Sequence, residues 1–293
     1  MSSNSRESVW LITGSGSGLG LALTRYALSQ GHRVIATSRN PSKTPELVEE
    51  VSSQGGKWLA LDTTQTVCEI KDIVRQAESF FGRIDVMVNN AAFCVLGAVE
   101  DLPDADIVLQ MQTNFLGPVR IMQAVLPGMR ERRSGTIMNV SSTQGFVASH
   151  ACGVYAASKF ALEAMSEACR AEVAAFGIRV LIIEPGAFRT GFANPNAAKY
   201  IEPSKPYAGE QVVNQRLIQV RKYLGTAMGS PEKAAKVMFE AATGQGAAGE
   251  LIEQEKILRV ILGPDCWKAI DLKINELRRS ADLIQEVAAS TNL

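Results

Sequence analysis

Short apolar runs rich in β-branched residues alternate along the chain with longer stretches whose apolar residues recur at helical spacing. Several of the short runs are apolar throughout, which is typical of parallel strands covered on both faces. The intervening stretches predict helices, for example over residues 19–31 and 67–81, each closed by a glycine. Strands are predicted over residues 9–13, 33–38, 57–61, 84–89, 136–140 and 178–184. The alternation indicates an α/β fold, doubly wound, with a mainly parallel central sheet of about seven strands flanked by helices.

This regular pattern lapses in the last third of the chain. Residues 190–229 form an irregular stretch, which we interpret as a loop-and-helix excursion rather than a separate domain. The glycine-rich segment 244–249 has no Lys-Ser/Thr pair after it, so it predicts a flexible turn rather than a phosphate loop. A short strand is predicted over Glu250–Glu253, followed by a helical C-terminal extension over 255–293. We expect residues 1–293 to form a single domain.

Composition narrows the class of protein. The 293 residues carry 30 acidic and 30 basic side chains, so we expect neither nucleic acid nor an anionic membrane as a partner. No apolar run approaches the roughly 20 residues needed to cross a bilayer, and the N-terminus lacks the apolar stretch of a secretory signal. Five scattered cysteines and two histidines predict no metal site and no disulfide framework. A cytoplasmic location fits these features best.

A glycine-rich string joins the first predicted strand to the first helix. Glycine lets a backbone turn sharply and approach a pyrophosphate, which the free amides of a helix N-terminus then bind. Placed between a strand and a helix, the string predicts a Rossmann dinucleotide site; the alternative is a merely tight turn. The residues assigned to the cofactor here are Gly14, Ser15, Ser17, Gly18, Leu19 and Gly20.

The end of the second strand predicts which dinucleotide is bound. A protein that binds NAD usually carries an acidic side chain there for the ribose 2′-hydroxyl, whereas this chain has Ser38 and Arg39. A guanidinium suits a 2′-phosphate, and charge-assisted hydrogen bonds of about 1.5–3 kcal/mol would favour NADP(H) by roughly 10- to 150-fold. The alternative is a solvated arginine. Asp62 and Thr63 end the third strand, where they would meet the adenine; a helix-capping role is equally supported.

A tyrosine and a lysine stand four residues apart in a predicted helix. Tyr155 and Lys159 would therefore share one face of that helix. A cation about 4 Å from a phenol, at an effective dielectric near 20, favours the phenolate by about 4 kcal/mol, or roughly 3 pKa units. This would bring the phenol into the range of acid–base catalysis. Alone, the pair is more often a core ring beside a solvated charge.

The motifs occur together in an order that resembles the short-chain dehydrogenase/reductase family over residues 8–191, in particular its fungal and bacterial ketoreductase-like and hydroxysteroid-dehydrogenase-like members. The resemblance is carried by the TGxxxGxG turn from Thr13, VNNAA (88–92), QTNFLGP (112–118), NVSS (139–142), YxxxK (155–159) and PGAFRT (185–190). It implies an oxidoreductase that transfers a hydride between NADP(H) and a ketone or secondary alcohol.

The resemblance also implies roles for four residues. Tyr155 would be the general acid or base, and Lys159 would lower its pKa and bind the nicotinamide ribose. Ser142 would orient the substrate oxygen; its neighbour Ser141 is the competing candidate, but the thirteen-residue spacing to Tyr155 favours Ser142. Asn114 would hold a water that links Lys159 to solvent.

Further cofactor contacts follow from the same resemblance. Asn90 and Ala91 would line the adenosine ribose, and the family's usual glycine is replaced by Ala92, which we expect to be tolerated. The nicotinamide carboxamide would be held by Pro185, Gly186, Phe188 and Thr190. The family also implies a homodimer or homotetramer built on the helices around Asn114 and Tyr155.

The substrate side is less defined by the sequence. His150 and Cys152 either line the substrate pocket or, with twice the weight, occupy an ordinary loop. Aromatic residues at Phe188, Phe192, Tyr200 and Tyr207 suit an apolar or ring-bearing carbonyl substrate, although core packing explains them almost as well. Two alternative functions stay open: a cofactor-bound isomerase, cyclase or dehydratase without net redox chemistry, and a non-catalytic NADP(H)-sensing module.

Overall fold

A parallel sheet forms the centre of the protein. The computed structural model describes residues 7–193, 197–222 and 227–292. The predicted single domain also includes residues 1–6 and 293, and the predicted 190–229 excursion also includes residues 194–196 and 223–226. These residues lie outside the described part of the chain. The strands are β1 (Val9–Ile12), β2 (Arg33–Ser38), β3 (Lys57–Ala60), β4 (Val86–Asn89), β5 (Cys94–Leu96), β6 (Gly135–Val140), β7 (Ile178–Pro185), β8 (Ala198–Tyr200) and β9 (Arg259–Leu262).

Helices cover both faces of the sheet or extend the chain beyond it. They are α1 (Gly18–Ser29), α2 (Pro45–Ser53), α3 (Val67–Phe81), α4 (Asp104–Met111), α5 (Gly117–Arg132), α6 (Gly153–Val173), α7 (Val212–Lys222), α8 (Pro231–Thr243), α9 (Gly246–Gln254) and α10 (Pro264–Ala289). No helix among these described elements is long and apolar enough to cross a membrane.

The sheet order is β3-β2-β1-β4-β6-β7-β9, and every pair is parallel. The predicted fold class is thus confirmed, and the six strands expected from the apolar runs lie within two residues of their predicted bounds. The chain moves outward from β1 through β2 to β3 and then crosses back to β4 on the other side of β1. Ligands bind doubly wound sheets at the carboxyl ends of strands where the order reverses in this way.

Alternating side chains of the strands build two apolar layers. Trp10 and Ile12 face α1 and α8, and the Trp10 ring stacks on Phe239 with the ring centroids 5.5 Å apart. Leu11 points to the opposite layer, where α3, α5 and α6 pack. All three strand residues are fully buried, and burial of each large apolar side chain stabilises the folded state by about 1.5–3 kcal/mol. This double burial explains why the strands are apolar throughout.

The seventh strand differs from the prediction. Glu250–Glu253 lies in helix α9, and the strand that completes the sheet is β9, inside the region predicted as helical. In α9, Ile252 is buried and Leu251 exposed, which suits a helix packed on one side. The segment 244–249 is only partly a turn: Gly244 ends α8 with a φ of 70°, and α9 begins at Gly246.

Candidate active site

A cleft of about 680 Å³ opens at the carboxyl ends of β1 and β4, at the reversal in strand order. Its walls come from the turn after β1, the ends of β2, β4, β6 and β7, the first turns of α6, and helix α7. The predicted residues that line it are Gly14, Ser17, Gly18, Leu19, Ser38, Arg39, Thr63, Asn90, Ala91, Ser142, Tyr155, Lys159, Pro185, Gly186, Phe188 and Thr190. The sequence therefore located most of the cleft. Of the assigned residues, Ser15, Gly20, Asp62 and Asn114 do not line it.

The turn after β1 requires glycine because the backbone packs closely. Gly14 has a φ of +69°, and a Cβ there would lie 2.8 Å from the Cα of Ala91. The side-chain amide of Asn90 donates to the backbone carbonyl oxygens of Thr13 and Gly14, at 2.8 and 3.2 Å. Helix α1 then starts at Gly18 with no side-chain cap, so its first amides are available to an anion. This cradle fits the pyrophosphate of a nicotinamide dinucleotide.

Two residues assigned to that turn act beneath it instead. Ser15 is fully buried, its hydroxyl donates to the Ile12 carbonyl at 3.0 Å, and it accepts a hydrogen bond from Thr24. A Cβ at Gly20 would lie 2.5 Å from the Gly14 carbonyl oxygen, so α1 reaches this position only with glycine. Ser15 and Gly20 shape the turn without lining the cleft.

The end of β2 presents no acidic side chain to the cleft. Ser38 accepts a hydrogen bond from the indole of Trp58 at 3.1 Å. Arg39 is exposed and has no ion-pair partner among the described residues. Asp62 does not meet the cleft because its carboxylate accepts hydrogen bonds from the backbone N–H and the hydroxyl of Thr64, at 2.9 and 2.8 Å. It does not cap a helix either, since α3 is capped by Thr66.

Helix α6 places the predicted pair on one face. The ammonium of Lys159 lies 5.9 Å from the centroid of the Tyr155 ring and donates a hydrogen bond to the Val140 carbonyl oxygen at 2.7 Å. Both side chains are buried, Tyr155 at 7% and Lys159 at 2% exposure. Ser142 follows the end of β6, and its hydroxyl lies beside the Tyr155 phenol. The three residues thus meet at one end of the cleft.

The electrostatics of this pair differ from the prediction. Burial raises the pKa of Tyr155 above its ordinary value, and the neighbouring Ser142 hydroxyl offsets only part of that effect. Lys159 does not bring the phenol toward neutrality in the protein alone, because its ammonium is directed at Val140 and is itself desolvated. Burial lowers the pKa of Lys159 to about 8, with the charge of Glu163 acting in the opposite direction.

The two adjacent serines have different environments. Ser141 is buried and donates to the Glu163 carboxylate at 2.5 Å. Arg259 contacts Glu163 at 3.1 Å and Glu184 at 3.0 Å, so this serine belongs to a buried charged network. Ser142 keeps its hydroxyl beside Tyr155. Of the two serines, only Ser142 has its hydroxyl available to a substrate oxygen.

Asn114 lies in a π-helical segment, Gln112–Leu116, between α4 and α5. Its amide carbonyl accepts from the Phe93 N–H at 3.1 Å, and its NH₂ donates to the Phe93 carbonyl and to Ser158, at 2.9 and 3.2 Å. Both amide hydrogens are therefore engaged in joining the chain after β4 to α6. The water contact expected of Asn114 stays a prediction.

A side chain from the C-terminal part of the chain holds the segment after β7 in place. The Ala187 N–H donates to the Asp265 carboxylate at 2.7 Å, and a Cβ at Gly186 would lie 2.3 Å from that carboxylate. Asp265 lines the cleft and was not anticipated, since it lies 75 residues or more from the motifs that drew attention. Ala92 lies outside the left-handed region, so its methyl group is accommodated as expected.

The far side of the cleft is mainly apolar. Tyr155 belongs to a cluster with Cys94, Leu96, Cys152 and residues of α7, and its ring lies 5.7 Å from that of Phe192. Cys152 lines the cleft and His150 does not, so the preference for an ordinary loop position was wrong for Cys152. Tyr200 and Tyr207 pack against the cluster without lining the cleft.

One polar side chain interrupts this apolar wall. Arg216, on α7, lines the cleft beside Cys152. Arg216 was not predicted as a site residue because α7 lies in the irregular excursion. The available signal was its position between Val213 and Leu217 on one helical face.

Known proteins resemble the chain over most of its length. The short chain dehydrogenase family profile matches residues 8–200. Oxidoreductase BOA17 of Botryotinia fuckeliana is 35% identical over 257 residues, covering 88% of this chain and 89% of its own. Oxidoreductase claN of Passalora fulva is 44% identical over 192 residues, 64% of this chain and 87% of its own. The crystal structure of a short-chain dehydrogenase from Streptomyces avermitilis superposes with a TM-score of 0.86 at 33% identity, covering 99% of this chain and 100% of that one.

Proposed function

Because the chain belongs to the short-chain dehydrogenase family, an oxidoreductase family whose fold binds a nicotinamide cofactor, we propose that it is an NADP(H)-dependent reductase of an apolar ketone. The observation that carries the proposal is the meeting of Ser142, Tyr155 and Lys159 at one end of the cleft, with the glycine turn at the other. A bound nicotinamide would supply the hydride to the carbonyl carbon.

The side chains provide the proton and the charge stabilisation. A substrate carbonyl oxygen beside Ser142 and Tyr155 would accept a hydrogen bond from each hydroxyl. Since burial raises the pKa of Tyr155, the phenol is protonated at neutral pH and is ready to act as an acid. It would give its proton to the oxygen as the carbon is reduced. The Lys159 ammonium would then stabilise the phenolate that remains.

The choice of NADP(H) rests on Arg39. Its guanidinium lines the cleft beside Ser38 and Gly16, where the ribose of a bound dinucleotide would lie. It has no ion-pair partner among the described residues, and no acidic side chain occupies the end of β2. A 2′-phosphate would complete this site, whereas a 2′-hydroxyl would leave the charge unpaired.

The substrate class rests on the apolar wall, and the assembly on surface side chains. Leu96, Phe192 and Val220 line the cleft on the side of Tyr155, which suits an apolar or ring-bearing carbonyl compound. Val108 and Leu109 on α4 and Phe160 on α6 are at least 43% exposed. These side chains support the proposal of a homodimer or homotetramer built on those helices.

The test is oxidation of NADPH and of NADH by the purified protein against a panel of aryl, steroid and polyketide-like ketones. Wild type would consume NADPH well above NADH. Tyr155→Phe would lose turnover by about 10²–10⁴-fold while binding NADPH with unchanged affinity, because only the proton donor is removed. A correctly folded Tyr155→Phe variant with wild-type turnover would overturn the assignment. Conversion of a substrate without net oxidation or reduction would favour an isomerase instead.

A further inference from the structure

Helix α7 presents an arginine on the face that packs against the active site. Val213 and Leu217 are 7% and 1% exposed and, with Val220, belong to the cluster that contains Tyr155. Arg216 lies three residues after Val213 and one before Leu217, so it projects from the same face. A cation on the apolar face of a helix is unusual unless something pairs with it.

The Arg216 guanidinium is incompletely satisfied. Its Nε is buried and has no hydrogen-bond partner, while Nη1 donates to the Gln219 side chain at 2.8 Å. No carboxylate of the described residues forms an ion pair with it. A partly buried guanidinium whose Nε lacks a partner is incompletely compensated, so a ligand that carries a negative charge would be stabilised here.

The neighbours of Arg216 place this charge on the substrate side. The guanidinium lies beside the Cys152 thiol, where it partly offsets the rise that burial causes in the pKa of Cys152. Cys152 immediately precedes α6, three residues before Tyr155, and is remote in the fold from the glycine turn and Arg39. The cofactor's phosphates would lie at that other end.

We propose that Arg216 binds a carboxylate of the substrate, so that the substrate is an apolar keto acid or the matching hydroxy acid. This inference rests on the proposed function and adds a substrate class to it. The carbonyl would meet Ser142 and Tyr155, the apolar body would contact the wall around Phe192, and the carboxylate would lie on the guanidinium. A monoanion fits best because Lys159, the nearest other cation lining the cleft, is directed at Val140.

Binding without turnover tests this directly. Calorimetry would compare phenyl-substituted straight-chain acids, from phenylacetate to 6-phenylhexanoate, with their primary amides, on protein saturated with NADP⁺. At the best chain length, the acid should bind wild type about 10- to 100-fold more tightly than its amide. Arg216→Gln should remove that preference, and Arg216→Lys should keep part of it. Arg221→Gln, five residues further along α7 and stacked on Tyr200, is the matched control and should retain the preference.

The outcomes separate this inference from the proposed chemistry. Tyr155→Phe should keep the preference for the acid although it turns nothing over, so a failure of hydride transfer would leave the binding result standing. Equal binding of acids and amides by wild type, or no binding of any acid in the series, would overturn the carboxylate assignment. So would a preference that survives Arg216→Gln. If Arg216→Gln keeps the preference for the acid but loses affinity for NADPH, Arg216 binds the cofactor and not the substrate.

A second, independent observation concerns helix α10. From Asp271 onward nearly every residue of this helix is exposed. Apolar residues nevertheless recur there at alternating spacings of three and four, the repeat of a two-helix coiled coil. We define this seam as Ile274, Leu277, Ala281, Ile284 and Ala288. Most of the stability of a helix in a protein comes from the packing of one apolar face, and within the described residues this part of α10 has almost no such packing.

We infer that α10 pairs with α10 of a second copy of the chain, in antiparallel orientation. Asp271 and Arg278 flank the seam on the same side, and in an antiparallel pair centred between Ile274 and Leu277 each would face the other residue of the partner copy. In a parallel pair Lys273 would face Arg278, which places like charges together. The charge pattern therefore selects both the partner and the direction.

Light scattering after size exclusion, at concentrations from 1 to 100 µM, tests the pairing on the full chain. Leu277→Asp should weaken this association at least tenfold and reduce the mass by half, whereas Leu283→Asp, at a more exposed position off the seam, should not. Asp271→Arg and Arg278→Asp should each weaken it, and the double variant should restore it. An unchanged mass for Leu277→Asp would overturn the pairing, and no recovery in the double variant would overturn the orientation.

Discussion

The ammonium of Lys159 lies 2.7 Å from the carbonyl oxygen of Val140, the last residue of β6. This hydrogen bond joins α6 to the strand that precedes Ser142. It holds the lysine 5.9 Å from the Tyr155 ring centroid, without solvent around the charge. The same burial lowers the pKa of Lys159 to about 8, close to neutral pH.

Ketone reduction should therefore slow at alkaline pH. Burial lowers the pKa of Lys159 to about 8, so above that pH the residue becomes a neutral amine that no longer stabilises the Tyr155 phenolate. A single ionisation predicts a fall in kcat of about tenfold per pH unit above pH 8. The measurement is a pH profile of kcat from 6 to 10 with NADPH in excess.

Glu184 also titrates in this range, and Glu163 faces Lys159, so the profile needs a control. Glu184→Gln should retain the alkaline limb because the lysine is untouched. A wild-type profile that is flat to pH 10 would exclude Lys159 as the titrating group.

Protein stability should depend on pH through Glu184. Burial, and then the charge of Glu163, raise the pKa of this carboxyl from its ordinary value of 4.5 to about 8, with Arg259 opposing them. The folded state then holds a proton that the unfolded state releases, so the free energy of unfolding falls as pH rises from about 4.5 to 8. Glu184→Gln should remove this loss. Its free energy of unfolding, relative to that of wild type, should therefore rise by on the order of 2–4 kcal/mol between pH 5 and pH 9.

Urea unfolding at pH 5, 7 and 9 would measure that difference. Glu250→Gln, an exposed substitution of the same chemistry on α9, is the control and should follow wild type. Parallel pH dependence in wild type and Glu184→Gln would contradict a raised pKa at this site.

The adjacent serines should separate catalysis from stability. Ser142→Ala removes the hydroxyl beside Tyr155 and should lower kcat by about 10²–10³-fold with little change in stability. Ser141→Ala removes one of the two hydrogen bonds that Glu163 accepts and should destabilise the protein by about 1–3 kcal/mol while kcat changes less than about threefold. Kinetics and unfolding of both variants are compared. A loss of kcat in Ser141→Ala together with a loss of stability in Ser142→Ala would show that Ser141 holds the substrate oxygen.

Cofactor choice should depend on Arg39. Arg39→Leu should raise the dissociation constant for NADPH by roughly 10- to 150-fold and leave that for NADH unchanged, because only the 2′-phosphate loses a charged partner. Arg39→Lys, which keeps the charge without the planar fork, should fall between. Fluorescence titration of the reduced cofactors measures both constants. Equal losses for NADPH and NADH would mean that Arg39 acts on the fold of the turn rather than on the phosphate.

Local patterns along the chain determined much of this architecture. The apolar runs identified six of the seven strands because parallel strands are buried on both faces, and the glycine turn was recognisable because only glycine allows the packing at Gly14. The spacing of Tyr155 and Lys159 placed them on one face because helical geometry depends on residue separation alone. The seventh strand was missed, since neither its length nor its flanking residues distinguish Arg259–Leu262 from a helical segment.

Interactions between distant segments were decided only in the tertiary structure. Desolvation raises the pKa of Tyr155 and lowers that of Lys159, and a sequence carries no measure of how deeply a side chain is buried. Asp265 and Arg216 reach the cleft from elements far along the chain, so no spacing rule connects them with the motifs around Tyr155. Periodicity and turn chemistry act over a few residues, whereas burial and convergence depend on the packing of the whole sheet and its helices.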